Sequence, residues 1–331
     1  GALVGELPRP VVESLSDFGL AYVGTQSPGD VWSWDLNDDG TFTATNETLG
    51  HDYAGTYVAL PSDYLKLTVT STTEPGMTPP EVAYAFEVPG SALVVKPVGS
   101  DGNVIVAVSP STCPSASMLE LGWVELTRAG FSPVLETAYG IASTTITGSV
   151  WDITTSRFLL DGTPDGSDVL SDLTCSGGVV RDPADPDLLI AIAGTGVFVL
   201  DAGPGKGGAI GMRLPSTAID LSDLTAAGRE FRAFHYQDSR VATADSMPVW
   251  ARPDGAGGLW GGEYTDVETN AETPPPHARI AFGAQASPGI VNATLTDTAG
   301  TSDILFMINR LGGRYFLFGI SVDTHDGQPY N

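Results

Sequence analysis

The segment DLNDDG, residues 35–40, has the residue types of a calcium loop. Asp35, Asn37 and Asp39 would supply the first, third and fifth ligands of an EF-hand, and the required Gly follows them. Position twelve needs a bidentate Glu, but the sequence has Asn46 there. The flanking segments VWSW and TFTAT have strand character, and Asp-Gly is a strong hairpin signal. We therefore predict a turn between two strands, with a noncanonical Ca²⁺ site at these three residues as the alternative. We expect no other cofactor.

A second candidate site is GGLWGGEYTD, which contains Trp260, Glu263 and Tyr264. Glycines on both sides of Trp260 remove neighbouring side chains, which can leave one face of the indole open. An exposed aromatic ring beside a carboxylate suits stacking against sugar rings or other apolar ligand faces. The structural alternative is a Trp that covers the end of a barrel or packs between two units.

Catalytic motifs are absent from the sequence. It has no G-x-S-x-G elbow and no S-x-x-K, and GPGKGG at residues 203–208 lacks the Ser or Thr of a phosphate loop. A carboxylate pair for glycoside hydrolysis is assembled in space, so 40 acidic residues make any choice from the sequence arbitrary. We assign no catalytic residue and expect a protein that is not an enzyme.

The two cysteines, Cys113 and Cys175, are too far apart for a CxxC metal or redox pair. The sequence begins at Gly1 rather than Met, which we take as an indication of export. We expect a secreted, periplasmic or cell-surface location. In such a protein the two cysteines should form one disulfide, worth roughly 3–4 kcal/mol in the chain-entropy model. Two buried free thiols are the alternative.

The net charge of −25 arises because basic residues are scarce. Such a surface repels nucleic acid and anionic membranes, and we read the dispersed charge mainly as a source of solubility. No apolar run approaches the ~18 residues of a membrane span, so we predict no transmembrane segment. The expected partners are other proteins or further copies of the chain, with glycans as a further possibility.

The dipeptide Val-Trp occurs three times, ending at Trp32, Trp151 and Trp250. These spacings are close to the length of a small domain. The simplest interpretation is that the three tryptophans hold equivalent core positions in three repeated units.

A second register supports the repeat. Residues 88–112 align without gaps to residues 193–217, and each segment reads as strand, Gly-rich turn and strand. A third version is found at residues 303–323. The matched positions include Val94 with Val199, Gly102 with Gly207, and Ile105 with Ile210.

We therefore predict an all-β protein with very little helix, made of three related antiparallel units that arose by internal duplication. The units are residues 1–130 with an N-terminal arm, a shorter unit at 131–217, and residues 218–331. Each unit closes as a barrel or pairs its sheets as a sandwich. A short helix is expected within residues 217–227. The apolar arm could dock onto a sheet edge of a neighbouring subunit.

These observations favour an exported, non-enzymatic protein for binding, adhesion or structural assembly. The first alternative is an extracellular hydrolase or lyase acting on polysaccharide, with carboxylates and an exposed Trp in a cleft between units. The second is a carrier of a small ligand or metal that uses the mouth of a barrel. An apolar cavity within one unit would distinguish the carrier, and a cleft holding two carboxylates would distinguish the enzyme.

Overall fold

The computed structural model describes most of the 331-residue chain, and it is nearly all-β. The described residues form 25 strands and one four-residue helix. Within this part of the chain, no helix is long and apolar enough to span a membrane. The described ranges are 2–6, 21–26, 30–88, 90–98, 104–110, 113, 121–127, 139–159, 162–201, 208–235, 247–275, 277–298 and 300–321.

Strand β1 (Ala2–Glu6) precedes the first of three closed sheets. The first barrel is an antiparallel meander of eight strands whose last strand pairs with its first. Its strands are β2 (Ala21–Gln26), β3 (Asp30–Leu36), β4 (Thr41–Asn46), β5 (His51–Ala59), β6 (Leu65–Thr72), β7 (Glu81–Val88), β8 (Ala92–Pro97) and β9 (Ile105–Val108).

The second barrel repeats this plan with eight strands, and its last strand again pairs with its first. Its strands are β10 (Leu121–Thr127), β11 (Tyr139–Thr147), β12 (Val150–Phe158), β13 (Pro164–Ser176), β14 (Val179–Arg181), β15 (Leu189–Ile192), β16 (Val197–Asp201) and β17 (Gly208–Arg213). Helix α1 (Leu221–Leu224) follows, within the range predicted for a short helix, and the Asp220 carboxylate caps its first turn.

The third sheet also closes on itself. Its strands are β18 (Phe231–His235), β19 (Met247–Pro253), β20 (Leu259–Asp266), β21 (Ala271–Glu272), β22 (Ala278–Ser287), β23 (Ile290–Thr296), β24 (Thr301–Leu311) and β25 (Arg314–Ser321). Strand β1 lies between β25 and β18, and the pairing of β19 with β20 completes a ring of eight strands, with β21 attached beside β20. The prediction of three related antiparallel units is confirmed, and the sheets close as barrels.

Each barrel has its own apolar interior, formed by every second residue of its strands. Large side chains occupy these interiors, and in the first barrel several aromatic rings stack on one another. Representative interior residues are Trp32, Trp34 and Phe42 in the first barrel, Trp151, Leu173 and Phe198 in the second, and Phe231, Leu259 and Phe306 in the third.

A fourth apolar cluster, here called the junction, joins the outer walls of all three barrels. Strands that reach it are buried on both faces, which explains continuous apolar runs such as IVAV and LIAI. Hydrogen bonds also link the barrels at its border. The junction includes Val94 and Val106 from the first barrel, Val199 and Ile210 from the second, and Met307 and Phe318 from the third. The linking bonds join Tyr64 to Ala233, Ser91 to Thr195, and Asn309 to Arg213.

The predicted hairpin repeat is present, but its gapless alignment is wrong in the second strand. Val94 lies opposite Val106, and Val199 lies opposite Ile210, with all four in the junction. The second hairpin is therefore one residue shorter, and Ile105, which was aligned with Ile210, faces the interior of its barrel. A slip of one residue moves a side chain to the other face of a strand. The hairpin tips with Gly102 and Gly207 lie outside the described residues.

The three Val-Trp tryptophans are all buried, but they are not equivalent. Trp32 and Trp151 face the interiors of the first and second barrels, whereas Trp250 faces outwards into the junction. The predicted equivalence is therefore wrong for Trp250. A dipeptide carries no information about which face of a strand its residues take, because that depends on the register of the whole strand.

The division of the chain into domains at residues 1–130, 131–217 and 218–331 remains a prediction. The boundaries between the three sheets lie at other positions. Strand β10 lies within the first predicted unit, yet it pairs with β11 and β17 of the second barrel. Strand β1 also lies there, yet it belongs to the third barrel. The barrel to which a strand belongs is decided by its pairing with strands that are distant in sequence. A division into consecutive segments cannot assign β1 to the third barrel.

The predicted disulfide between Cys113 and Cys175 is confirmed, with a Cα–Cα distance of 6.0 Å. Cys113 lies between the last strand of the first barrel and the first strand of the second, while Cys175 lies at the end of β13. The backbone N–H of Gly178 donates to the Sγ atom of Cys113 at 3.4 Å. The disulfide thus fastens the connection between two barrels to the wall of the second.

Candidate functional site

Trp260 lies on the outer wall of the third barrel. Alternation along β20 places Trp260, Gly262 and Tyr264 on the outer face, because Tyr264 belongs to the junction and Leu259 to the interior. Glu263 has the opposite parity, so the structure does not bring its carboxylate beside Trp260. Trp260 and Tyr264 therefore share a face and Glu263 lies on the other, and the binding role of all three residues stays a prediction.

The neighbouring strands place two arginines beside Trp260. In the antiparallel register, Arg252 of β19 lies opposite Trp260 on one side, and Arg279 of β22 lies opposite it on the other. One step along, Trp250 lies opposite Gly262. We call this surface the Trp260 face; its residues are Trp250, Arg252, Trp260, Gly262, Tyr264, His277 and Arg279.

Trp260 is 40% exposed, whereas Trp250 at 2% is covered by its neighbours. A Cβ atom on Gly262 would lie 2.6 Å from Cζ2 of Trp250, so only glycine lets this indole lie against the strand. The Arg252 guanidinium lies 4.4 Å from the centre of the Trp250 ring, and the His277 ring packs edge-on against it at 4.8 Å. Trp250 therefore forms a rigid base for the face.

Carboxylates hold both arginines in place. Arg252 pairs with Glu272, at 3.0 Å between Nη1 and Oε2, and with Glu230, at 2.9 Å between Nε and Oε1. Arg279 donates from Nε to Oδ2 of Asp254 at 2.7 Å. Burial raises the pKa of Asp254, but the backbone N–H groups of residues 256 and 258 and the Arg279 guanidinium outweigh it, so the net pKa is lowered. These ion pairs fix planar hydrogen-bonding groups beside Trp260.

Three buried polar atoms of this face have no hydrogen-bond partner among the described residues: Nε1 of Trp250, the hydroxyl of Tyr264 and Nδ1 of His277. Burial raises the pKa of Tyr264 to about 12, so its phenol keeps its proton at neutral pH and can donate. Buried polar atoms are normally paired with protein or ordered water. The buried layer beneath the exposed indole therefore contains polar atoms without a partner among the described residues.

The predicted turn at DLNDDG connects β3 to β4. The Asp39 carboxylate accepts hydrogen bonds from the backbone N–H and the hydroxyl of Thr41, at 2.9 and 2.6 Å, and these bonds lower its pKa. Asp35 is exposed on β3, and the backbone N–H of Asn37 donates to the carbonyl of Thr41 at 2.9 Å. In the described ranges, no group of three or more His, Cys, Asp or Glu residues is arranged to hold a metal ion. Calcium binding by these three residues stays a prediction.

Sequence reasoning did not connect Arg252, Arg279 and His277 with Trp260. A usable signal exists, since W-A-R at residues 250–252 and H-A-R at 277–279 both alternate large polar or aromatic residues with a small one. Such alternation marks one face of a strand. Without the pairing of β19, β20 and β22, the three segments cannot be assigned to one surface.

No protein-family model matches this chain, and no curated protein matches it. Its function is therefore argued from the side chains themselves. Among the described residues, the Trp260 face combines an exposed indole, fixed charged groups and unpaired polar atoms, which makes it the candidate functional site.

Proposed function

We propose that the protein is an exported, non-enzymatic binding protein whose ligand is a carbohydrate that stacks on Trp260. The observation that carries this proposal is the placement of a 40% exposed indole between two ion-paired arginines on the wall of a closed barrel. The ligand class follows from the chemistry of these groups. The disulfide supports export, because disulfides persist in oxidising compartments.

A sugar ring has an apolar face of C–H groups and an equator of hydroxyls. The apolar face of the sugar matches an exposed indole. The indole supplies a large contact area, and the entropic cost of binding is small when the protein already fixes the indole in position. The hydroxyls match the planar guanidinium and carboxylate groups of Arg252 with Glu272 and of Arg279 with Asp254. The strands fix both kinds of group before the ligand arrives, which favours recognition.

The same geometry gives less support to the alternatives. A carrier that uses a barrel needs an internal cavity, and large buried side chains occupy the three interiors. A glycosidase needs one carboxyl group with a raised pKa to act as general acid. Beside Trp260, the pKa of Asp254 is instead lowered by its hydrogen bonds and by Arg279. Binding without turnover is the function these observations favour.

The test is a screen of neutral and acidic glycans with the full chain, followed by titration of the best ligand with Trp260→Ala. We expect at least a tenfold weaker affinity, since an aromatic stack and its buried area contribute more than about 1.4 kcal/mol. The matched control is Val58→Ala, which truncates a 52% exposed side chain on the first barrel. No glycan binding by the unsubstituted protein, or equal affinity in the two variants, would reject the proposal.

A further inference from the structure

Strand β1 completes a barrel whose other strands lie far away in the sequence. It pairs antiparallel with β18, from Ala2 opposite His235 to Glu6 opposite Phe231, and with β25, from Ala2 opposite Gly319 to Gly5 opposite Phe316. The first and second barrels, residues 21–213, lie between β1 and these partners in the chain. The third barrel is thus closed by a segment made before the rest of it.

The space between β18 and β25 is a slot that accepts one strand. Without β1, each of these strands would present a row of unpaired backbone N–H and C=O groups. The slot borders both apolar layers, because Phe231 and Leu317 belong to the barrel interior while Phe234 and Phe318 belong to the junction. An empty slot would open both layers to water, so an extended segment must occupy it.

Timing leaves β1 unpaired for a long period. Glu6 and its partner Phe231 are 225 positions apart, and a ribosome adds about 5–20 residues per second. The slot is complete only when β25 has been made, 315 positions after Glu6, which is about 16–63 s later. During this time β1 can enter a completed slot on another copy, with the same backbone pairings and the same register as within one chain.

The connection between β1 and β2 determines how strongly β1 prefers the slot of its own chain over the slot of another copy. It contains fourteen residues, 7–20, with a contour length of up to about 45 Å. Pairing within one chain is favoured only by the effective concentration at which this connection holds β1 near the slot of its own chain. Because all other contacts are the same in both arrangements, exchange between copies increases with protein concentration.

We propose that the slot between β18 and β25 is an assembly site that accepts strand β1 of a second copy of this chain. Reciprocal exchange gives a closed dimer, and one-way exchange gives an open chain of subunits. The Trp260 face lies on β19, β20 and β22, so it remains presented in either assembly and each added subunit adds one binding face. The strand exchange does not depend on the glycan proposal.

The experiment uses two full-length variants, Val4→Cys and Ala233→Cys, whose Cα atoms are register partners. The two proteins, one with a mass tag, are mixed at high concentration in urea below the unfolding midpoint, returned to buffer and oxidised. We expect a disulfide-linked heterodimer at least fivefold above the control mixture of Val4→Cys with Val58→Cys. Val58 is 52% exposed on the first barrel, so that mixture measures random collision.

A double variant that carries both Val4→Cys and Ala233→Cys in one chain provides the folding control. At low concentration it should form an intrachain disulfide and migrate as a monomer, which reports that β1 occupies the slot. At high concentration, under the exchange conditions, it should form covalent oligomers. Heterodimer yields no higher than the control, or a double variant that forms no disulfide between β1 and β18, would overturn the proposal.

Discussion

Two adjacent glycines on β20 allow a sharp test of how the Trp260 face is built. A Cβ atom on Gly262 would lie 2.6 Å from Cζ2 and 2.8 Å from Cε2 of Trp250, closer than real Cβ contacts. A Cβ atom on Gly261 would have its nearest neighbour, the Trp250 carbonyl oxygen, at 3.6 Å, which is ordinary van der Waals contact. Neither glycine has a positive φ angle, so the backbone accepts alanine at both positions.

Gly261→Ala should stabilise the fold by about 0.5 kcal/mol, because alanine reduces the conformational entropy of the unfolded chain. Gly262→Ala has the same entropic gain, but it forces the rigid Trp250 ring against Arg252 and His277. Overpacking of this kind costs about 1–3 kcal/mol. The free energy of unfolding should therefore differ between the two variants by about 1–3 kcal/mol, with Gly262→Ala the less stable.

The assay is urea denaturation followed by circular dichroism, with equal m-values required for the comparison. Near-ultraviolet dichroism of the folded proteins should change for Gly262→Ala and stay constant for Gly261→Ala, since only the former displaces an indole. If the two variants have the same stability within 0.5 kcal/mol, Trp250 does not lie against Gly262 and the account of the Trp260 face is wrong.

Three further predictions concern the contacts that hold the barrels together. Replacing Cys175 with Ala should lower the free energy of unfolding by about 4 kcal/mol in the chain-entropy model, measured by urea denaturation, because the lost bond closes a 62-residue separation. Burial raises the pKa of Tyr264 to about 12, so its contribution to the free energy of unfolding should be complete below pH ~10 and fall by up to about 1.4 kcal/mol per pH unit above pH ~10. When the free energy of unfolding is measured between pH 8 and 11, it should decrease less steeply with pH for Tyr264→Phe than for the unsubstituted protein. Arg232→Met should cost about 3–5 kcal/mol, because it removes a buried guanidinium that pairs with Glu230 beside β18 and with Asp63 of the first barrel. Lys66→Met breaks a more exposed pair with Glu268, which also joins the first and third barrels, and should cost less than about 1 kcal/mol; similar losses in the two would refute the distinction.

The sequence predicts the β class and the repeated hairpins because alternation and turn residues are local patterns, read within a few residues. It predicts the disulfide because it contains only two cysteines, which leaves one possible pairing. The hairpin around Val94 and Val106 illustrates the limit, since its two strands are correctly predicted, but the alignment of its second strand with the second hairpin is one residue out because the strand pairing differs by one residue. The number of residues in the turn sets that pairing, and Gly-rich turns accept more than one length.

The Trp260 face could be predicted only in part for a related reason. The glycine neighbours of Trp260 predict its exposure, but nearness in sequence also places Glu263 in the same site, although Glu263 lies on the opposite face of the strand. Arg252 and Arg279 reach Trp260 through strands β19 and β22, whose positions are set by the whole barrel. The pairing of β1 with β18 cannot be predicted from local sequence either, because its five residues contain no signal for partners more than 220 positions away.

The junction determines how the molecule can come apart. Each barrel contributes an apolar outer wall to it, so a proteolytic cut or truncation that removes one barrel uncovers the walls of the other two. Exposed apolar area costs about 25 cal/mol per Å² and promotes aggregation when it is contiguous. The three barrels therefore stabilise one another and should behave as a single cooperative foldon, although each has an interior of its own. We therefore expect the smallest stable fragment of this protein to contain all three barrels.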